Sequence, residues 1–341
     1  MECSVVIRSL NEADRLRLTL TSIACQTRAP EVVVVDDGST DHTAQVVEAF
    51  RDRLRLTAVR HTSPQGRSAA ANAGARAARG DILIVLDGDT LMHPACVERH
   101  IAAHQANPSL LGRGETRHIR STRFLRDPES ATPRAGEEAR LEAMSPAERE
   151  KLKVTRRQIE EDFAGIDRRA TPGIYPGIGP RALYELEIDA LANHPDCTML
   201  WAAASGSNFS VAREAFLASG GYDAEIDINE HRELALRLCE AGGRMGLVEG
   251  AKTYHLTHRS GWRDPLAETG WEAVFYRRHP SLAVKLLCVF WASLSKTGEI
   301  PAKARITSFA ELERFARGDS GIDFDAVRRL IPGLPELDAI Q

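Results

Sequence analysis

With 341 residues, 43 % of them apolar and 27 % charged, the chain has the make-up of an ordinary globular protein long enough to bury a large core. A formal net charge of −4 argues against a general nucleic-acid binder, whose affinity rests on neutralising phosphates with Lys and Arg. The six cysteines are scattered without a Cys-x-x-Cys pair, no basic-then-apolar leader opens the chain, and the most apolar run, Leu282–Leu294, contains Lys285 and falls short of the roughly 20 residues that span a bilayer. A cytoplasmic protein without a transmembrane segment is expected, peripheral membrane association being left open.

Ser4–Ile7 is the first predicted strand, and Arg8–Glu12 a loop leading into a helix from Ala13 to about Gln26, with Leu16, Leu20 and Ile23 on one face. Glu31–Val35 is β-branched and ends in Asp36-Asp37-Gly38-Ser39-Thr40-Asp41, before a helical stretch from Thr43 to Arg51. Leu54–Val59 makes a third strand, Ser63–Gly66 a turn, and Ala69–Ala78 an alanine-rich helix interrupted only by Gly74. The next strand, Ile82–Leu86, is apolar on both faces and stops at Asp87-Gly88-Asp89.

Strands alternating with helices imply a mostly parallel sheet with ligands outside the carboxyl ends of the strands. Asp36, Asp37, Asp87 and Asp89 therefore converge on one sheet edge. Asp87 and Asp89 can point to one side while Gly88 admits a close approach to the backbone, an arrangement suited to a divalent cation carrying phosphate oxygens.

Ser4–Ile7 with Asn11-Glu12, Val35–Asp41, Arg67–Gly74 and Asp87-Gly88-Asp89 together resemble the nucleotide-sugar domain of family 2 glycosyltransferases, which have the GT-A fold. Gly206–Phe216, Gly220–Asp223 and Asn229–Leu234 are similar to the second half of that family. The resemblance implies an α/β GT-A domain in two parts, 1–112 holding the nucleotide sugar and 199–260 the acceptor and catalytic half. Around it lie a mainly helical insertion, 113–198, serving as lid, acceptor region or solvated bracket, and a helical extension, 261–341, for support, acceptor contact or homodimerisation. Glu137–Glu161 predicts one or two exposed helices opening at Ser145–Glu148, and Thr171–Pro180 a loop.

The activity implied is a metal-dependent, inverting hexosyl transfer from a nucleotide diphosphate sugar, a UDP-sugar first, to a hydroxyl of a saccharide, lipid, peptide or small molecule. Mn²⁺ or Mg²⁺ would be held by Asp89, by Asp87 directly or through water, and by His255 or His258, one of which completes the metal shell in similar transferases. Asp37 is expected at the uracil ring, with Asp36, Asn11 and Glu12 near base or ribose and Arg67 at base or phosphate. Asn208 is expected beneath the donor sugar, where an amide reads hydroxyls. The family usually places an Asp second in a Glu-Asp pair as the base; here Glu230 keeps the first place and His231 occupies the second, so either is a candidate base. Trp262 is open between a lid and a packing residue. The alternatives are a retaining transferase or nucleotidyltransferase of the same fold, or a sugar-nucleotide binder without turnover.

Overall fold

The computed structural model describes residues 1–173, 183–258, 264–318 and 320–337. Trp262 and the 174–180 part of the expected loop lie outside them. In chain order the elements are β1 (Cys3–Ser9), α1 (Ala13–Ala24), β2 (Glu31–Asp36), α2 (Thr43–Glu48), β3 (Arg55–Arg60), α3 (Arg67–Ala77), β4 (Ile82–Asp87), β5 (Thr90–Met92), α4 (Cys96–Ala106) and β6 (Leu110–Ile119). A short hairpin follows, β7 (Leu125–Asp127) and β8 (Thr132–Pro133), then four short helices, α5 (Glu138–Glu142), α6 (Pro146–Leu152), α7 (Arg156–Glu161) and α8 (Phe163–Arg169), and β9 (Thr171–Pro172). The rest comprises α9 (Leu183–Asn193), β10 (Phe209–Ala212), α10 (Arg213–Ala218), α11 (Glu230–Glu240), β11 (Arg244–Leu256), α12 (Gly270–Arg278), α13 (Leu282–Ser295), α14 (Phe309–Ala316) and α15 (Phe324–Arg328).

The chain forms two compact units, the first from Met1–Gly173, Gly206–Gly221 and Leu247–Gly261, the second from Ile174–Ser205, Tyr222–Gly246 and Trp262–Gln341. In the first, a nine-stranded sheet among the described residues runs β3-β2-β1-β4-β10-β6-β11-β5, with β9 beside β6. β3, β2, β1 and β4 pair in parallel, while β10 is antiparallel to both β4 and β6, so β6 points the same way as β4. Because β1 and β2 are covered on both faces, their side chains are buried along the whole strand, which is why their centres, Val5–Ile7 and Val32–Val35, show no polar alternation. In α3, Gly74 serves close packing: a Cβ there would stand 2.3 Å from Val6 Cγ1 on β1.

The 113–170 stretch is more deeply built in than its charge density suggests. Ser145 and Thr155 each form a reciprocal cap with Glu148 and Gln158, which explains why such short helices start where they do. Val154, Ile159 and Ile166 are nonetheless buried in one cluster with Leu91, Ile119, Tyr254 and Leu256. The expected exposed helices are thus anchored by their apolar positions onto β5, β6 and β11. Thr171–Pro172, expected as loop, pairs with Arg117–His118 of β6.

In the second unit the helical extension divides at Pro280, which cannot continue the α12 hydrogen-bond ladder, and Ser281 caps α13. Further along the extension, α14 and α15 are separated by Gly318 and Gly321, both at positive φ. α13 is buried along nearly its whole length and α14 turns Phe309, Leu312 and Phe315 inward. No helix among the described residues is long and apolar enough to cross a membrane.

Candidate functional site

β4 delivers its acidic tip to the carboxyl edge of the parallel strands, and the two carboxylates there part company. Asp87 Oδ1 accepts from Arg8 Nε at 2.8 Å, and the buried Arg8 also donates from Nη2 to the Gly206 carbonyl at 2.8 Å. Asp87 N donates to Ser207 Oγ at 3.1 Å and Asn208 N to the Val85 carbonyl at 2.9 Å, so the Gly206–Asn208 segment is stitched directly to the end of β4. Gly88 makes close approach possible, as expected, but to the neighbouring strand: a Cβ would lie 3.1 Å from Ser9 Cβ.

Asp89 turns the other way. Its backbone carbonyl accepts from Leu256 N at 2.9 Å, which brings the end of β11 beside it, and His255 pairs with Thr90 in register. Asp89 Oδ2 lies 3.3 Å from His255 Nε2 and 2.8 Å from His258 Nε2. His255 is still in the strand and His258 is past its end, and the turn between them lets residues three apart face one point.

Burial alone would raise the Asp89 pKa, but His255 and His258 outweigh it and hold that carboxyl well below its ordinary range. Burial likewise disfavours a charged His255, yet Asp89, with Asp87 beyond it, raises its pKa above the ordinary value. The donor atoms of Asp89, His255 and His258 all lie within 4.8 Å of one another. Two imidazoles and one carboxylate on a partly buried shelf suit a first-row divalent ion better than Ca²⁺ or Mg²⁺, which favour all-oxygen shells. Asp87 stands outside this trio, held by Arg8.

Two residues that the sequence motifs did not mark shape the trio. His118, near the end of β6, places Nδ1 at 3.3 Å from His255 Nδ1, and burial beside His255 lowers its pKa to about 3. Arg15 is wholly buried in α1 and donates to the carbonyls of Leu256, Leu125 and Arg126 at 3.2, 2.6 and 3.1 Å, tying the hairpin and the end of β11 to one helix. Neither Arg15 nor His118 carries a mark in its local sequence, since both gain their roles only from distant segments packed against them.

The residues expected at the nucleotide are largely occupied with their own loops. Asp37 is 4 % exposed; Oδ1 accepts from Gln65 N at 2.9 Å and faces His61 Nδ1 at 2.6 Å, and Oδ2 accepts from Gly66 N at 2.9 Å. These contacts make it the organiser of the 61–66 loop. Asp36 Oδ1 accepts from Ser39 N, and Asp41 accepts from Thr43 N and Ala13 N, closing the turn after β2 onto the start of α1. Asn11, in a left-handed conformation at φ 54°, accepts from Thr40 N and is exposed, whereas Glu12 pairs with Arg15 and Arg134. Arg67 is exposed at the first turn of α3.

Asn208 departs furthest from expectation. It is fully buried at φ 60°, its Nδ2 donates to the Ala251 and Glu115 carbonyls, and its Oδ1 accepts from His100 Nε2 at 2.9 Å. With both ends of its amide engaged in the core it braces β6, β10 and β11, and is not available to a sugar hydroxyl.

The second unit carries the candidate bases. Glu230, fully buried, opens α11 after Asn229, which is at φ 67°. His231 Nε2 accepts from Arg232 Nη1 at 2.8 Å, and Arg232 continues to Asn229 Oδ1 and Glu187 Oε1. That leaves His231 Nδ1 as the hydrogen-bearing nitrogen, 3.7 Å from Glu230 Oε2, an arrangement poorly suited to taking up a proton at Nε2. Glu233 pairs with Arg237 at 2.6 Å, in a buried position shared with His279. Trp201 packs in the core against Phe275, at 6.0 Å between ring centroids.

Residues 4–162 match the family model described as Glycosyl transferase family 2. Among curated proteins, the chain is 46 % identical over 105 residues to validoxylamine A glucosyltransferase of Streptomyces hygroscopicus subsp. limoneus, covering 30 % of this chain and 23 % of that protein. It is 35 % identical over 96 residues to dolichol-phosphate mannosyltransferase of Pyrococcus furiosus, covering 28 % of this chain and 27 % of that one. The chain thus spans about a quarter of the length of each of these relatives. The crystal structure of S. aureus TarS 1–349 in complex with UDP-GlcNAc superposes with a TM-score of 0.53 at 14 % identity, covering 85 % of this chain and 71 % of that one. The fold is the GT-A type expected from the sequence.

Proposed function

We propose, from the premise that residues 4–162 belong to glycosyl transferase family 2, that this chain transfers a hexosyl group from a nucleotide diphosphate sugar to a hydroxyl acceptor with the help of a divalent cation. The observation that carries this reading is the convergence of Asp89 with His255 and His258 at the carboxyl end of β4. Asp89, His255 and His258 would hold the cation, preferably Mn²⁺. Bound there, it would neutralise charge developing on the departing diphosphate.

Arg8, pinned by Asp87 and Gly206, fixes the end of β4, so that Asp89 approaches the cation from the short turn anchored between β4 and β5. Asn11, Glu12, Asp36 and Arg67 remain the candidates at base, ribose or phosphate, and a UDP-sugar is the donor that the family resemblance supports. The base is assigned to Glu230 over His231, whose Nε2 already accepts from Arg232. With a base on the face opposite the leaving group, transfer inverts the anomeric centre.

A melting-point and donor-hydrolysis screen with UDP- and GDP-sugars tests the reading. A UDP-sugar should raise the melting temperature and be hydrolysed slowly only when Mn²⁺ is present. If no nucleotide sugar shifts the melting point with metal present, the proposal is wrong; a shift without any turnover would instead mark a binding protein.

A further inference from the structure

We propose that His118 is a positioning residue for the cation site, holding His255 in the tautomer whose Nε2 carries the lone pair. The inference rests on the metal reading above and concerns a residue outside every motif that led to it.

His255 turns Nε2 toward Asp89 Oδ2 at 3.3 Å, so its other nitrogen, Nδ1, faces away from the trio. That nitrogen meets His118 Nδ1 at 3.3 Å, with the two rings at 83° and their centroids 5.2 Å apart. Two imidazole nitrogens share such a separation favourably only when one carries a hydrogen and the other a lone pair. A neutral imidazole has a single N–H. Once His255 Nε2 offers its lone pair to a cation, its hydrogen must sit on Nδ1, and His118 Nδ1 must accept it. His118 thereby keeps its own hydrogen on Nε2, and one hydrogen bond selects both tautomers. An acceptor behind a ligating histidine fixes the ring's rotation and strengthens it as a donor.

The mounting of His118 supports this role. Its backbone pairs with Thr171 of β9, and the next residue, Ile119, is buried among Leu91, Tyr254 and Leu256. His255 is likewise in register with Thr90. Both rings therefore stand on paired strands, whereas His258 lies past the end of β11.

Mere space-filling predicts that a ring of similar size would do as well; an acceptor role predicts that the ring matters less than its Nδ1. The test is Mn²⁺ affinity of the full chain, read from the free-Mn²⁺ electron paramagnetic resonance signal, for wild type, His118→Phe, His118→Asn and His118→Gln. Asn places its oxygen about where Nδ1 stands and Gln about where Nε2 stands. We expect His118→Phe to weaken binding by about 10- to 100-fold, His118→Asn to recover most of that loss, and His118→Gln to recover little. Should His118→Phe fail to fold, the order of Asn and Gln decides. Wild-type affinity in His118→Phe, or equal affinities for Asn and Gln, overturns the assignment of His118 alone. Absence of Mn²⁺ binding by the wild type overturns the metal reading and this inference with it.

Discussion

Asp89 Oδ2 stands 2.8 Å from His258 Nε2, although 169 positions separate the two residues in the chain. The contact exists because Leu256 N donates to the Asp89 carbonyl, joining the end of β11 to the tip of β4 just before His258. From this relationship, removal of Asp89 should abolish the thermal response to metal. With Mn²⁺ at a hundredfold its dissociation constant, the wild type should gain about 2.7 kcal/mol of stability. Asp89→Ala should gain none, whatever its melting temperature without metal. Differential scanning calorimetry with and without Mn²⁺ measures both; an undiminished gain in Asp89→Ala would locate the cation elsewhere.

Asp87 predicts a different phenotype. Its carboxylate is partly exposed, but its partner Arg8 is buried and also carries the Gly206 carbonyl. Asp87→Asn should therefore cost roughly 1–3 kcal/mol of stability through a weakened charged hydrogen bond. Mn²⁺ affinity should fall less than in Asp89→Ala. Urea unfolding and metal titration on the same preparation separate the two effects, and a larger metal defect in Asp87→Asn would restore Asp87 as a ligand.

Asn208 should behave as a core residue. Asn208→Leu removes the amide while leaving the Ala251 and Glu115 carbonyls and His100 in place around an apolar side chain. A loss of at least about 1–3 kcal/mol is expected from buried groups deprived of partners, and the left-handed φ of 60° adds strain for Leu. The denaturation midpoint reports it. A stable Asn208→Leu chain with selectively impaired donor binding would return Asn208 to the sugar.

Glu233 should impose an acid limit on the second unit. Burial alone would raise its pKa, but His279 and Arg237 outweigh this and hold it below the ordinary glutamate range. A depressed folded-state pKa stabilises the protein above the unfolded value, and the contribution is lost as pH falls through the folded one. Stability should therefore decline below about pH 4.5 more steeply in the wild type than in Glu233→Gln. Equal pH slopes from urea midpoints between pH 6 and 3.5 would refute the coupling.

Much of the first unit is legible along the chain because its information is local. Apolar runs of three to five residues announce buried strands, Gly66 and Gly80 punctuate the helix between them, and each acidic tip falls where a strand must stop. Local pattern misleads where tertiary contact overrides it. Charged stretches around Val154, Ile159 and Ile166 read as exposed, yet those three apolar side chains are enough to pin short capped helices to the sheet. Asn208 has the chemistry of a ligand-reading group; only the surrounding carbonyls and His100 reveal that both ends of its amide are engaged in the core.

By itself the sequence determined the alternation of strands and helices, hence the sheet, its acidic carboxyl edge and the identity of Asp89 as the residue to watch. Periodicity and turn chemistry act over a few residues, so they survive being read in one dimension. Only the tertiary structure decided which distant groups meet there. Arg8 draws Asp87 away, β11 carries His255 and His258 to Asp89, and β6 sets His118 behind His255. Such meetings depend on strand register and on competition among hydrogen-bond partners, which are settled by packing between segments 79 to 169 positions apart and leave no mark on the sequence near any one of them.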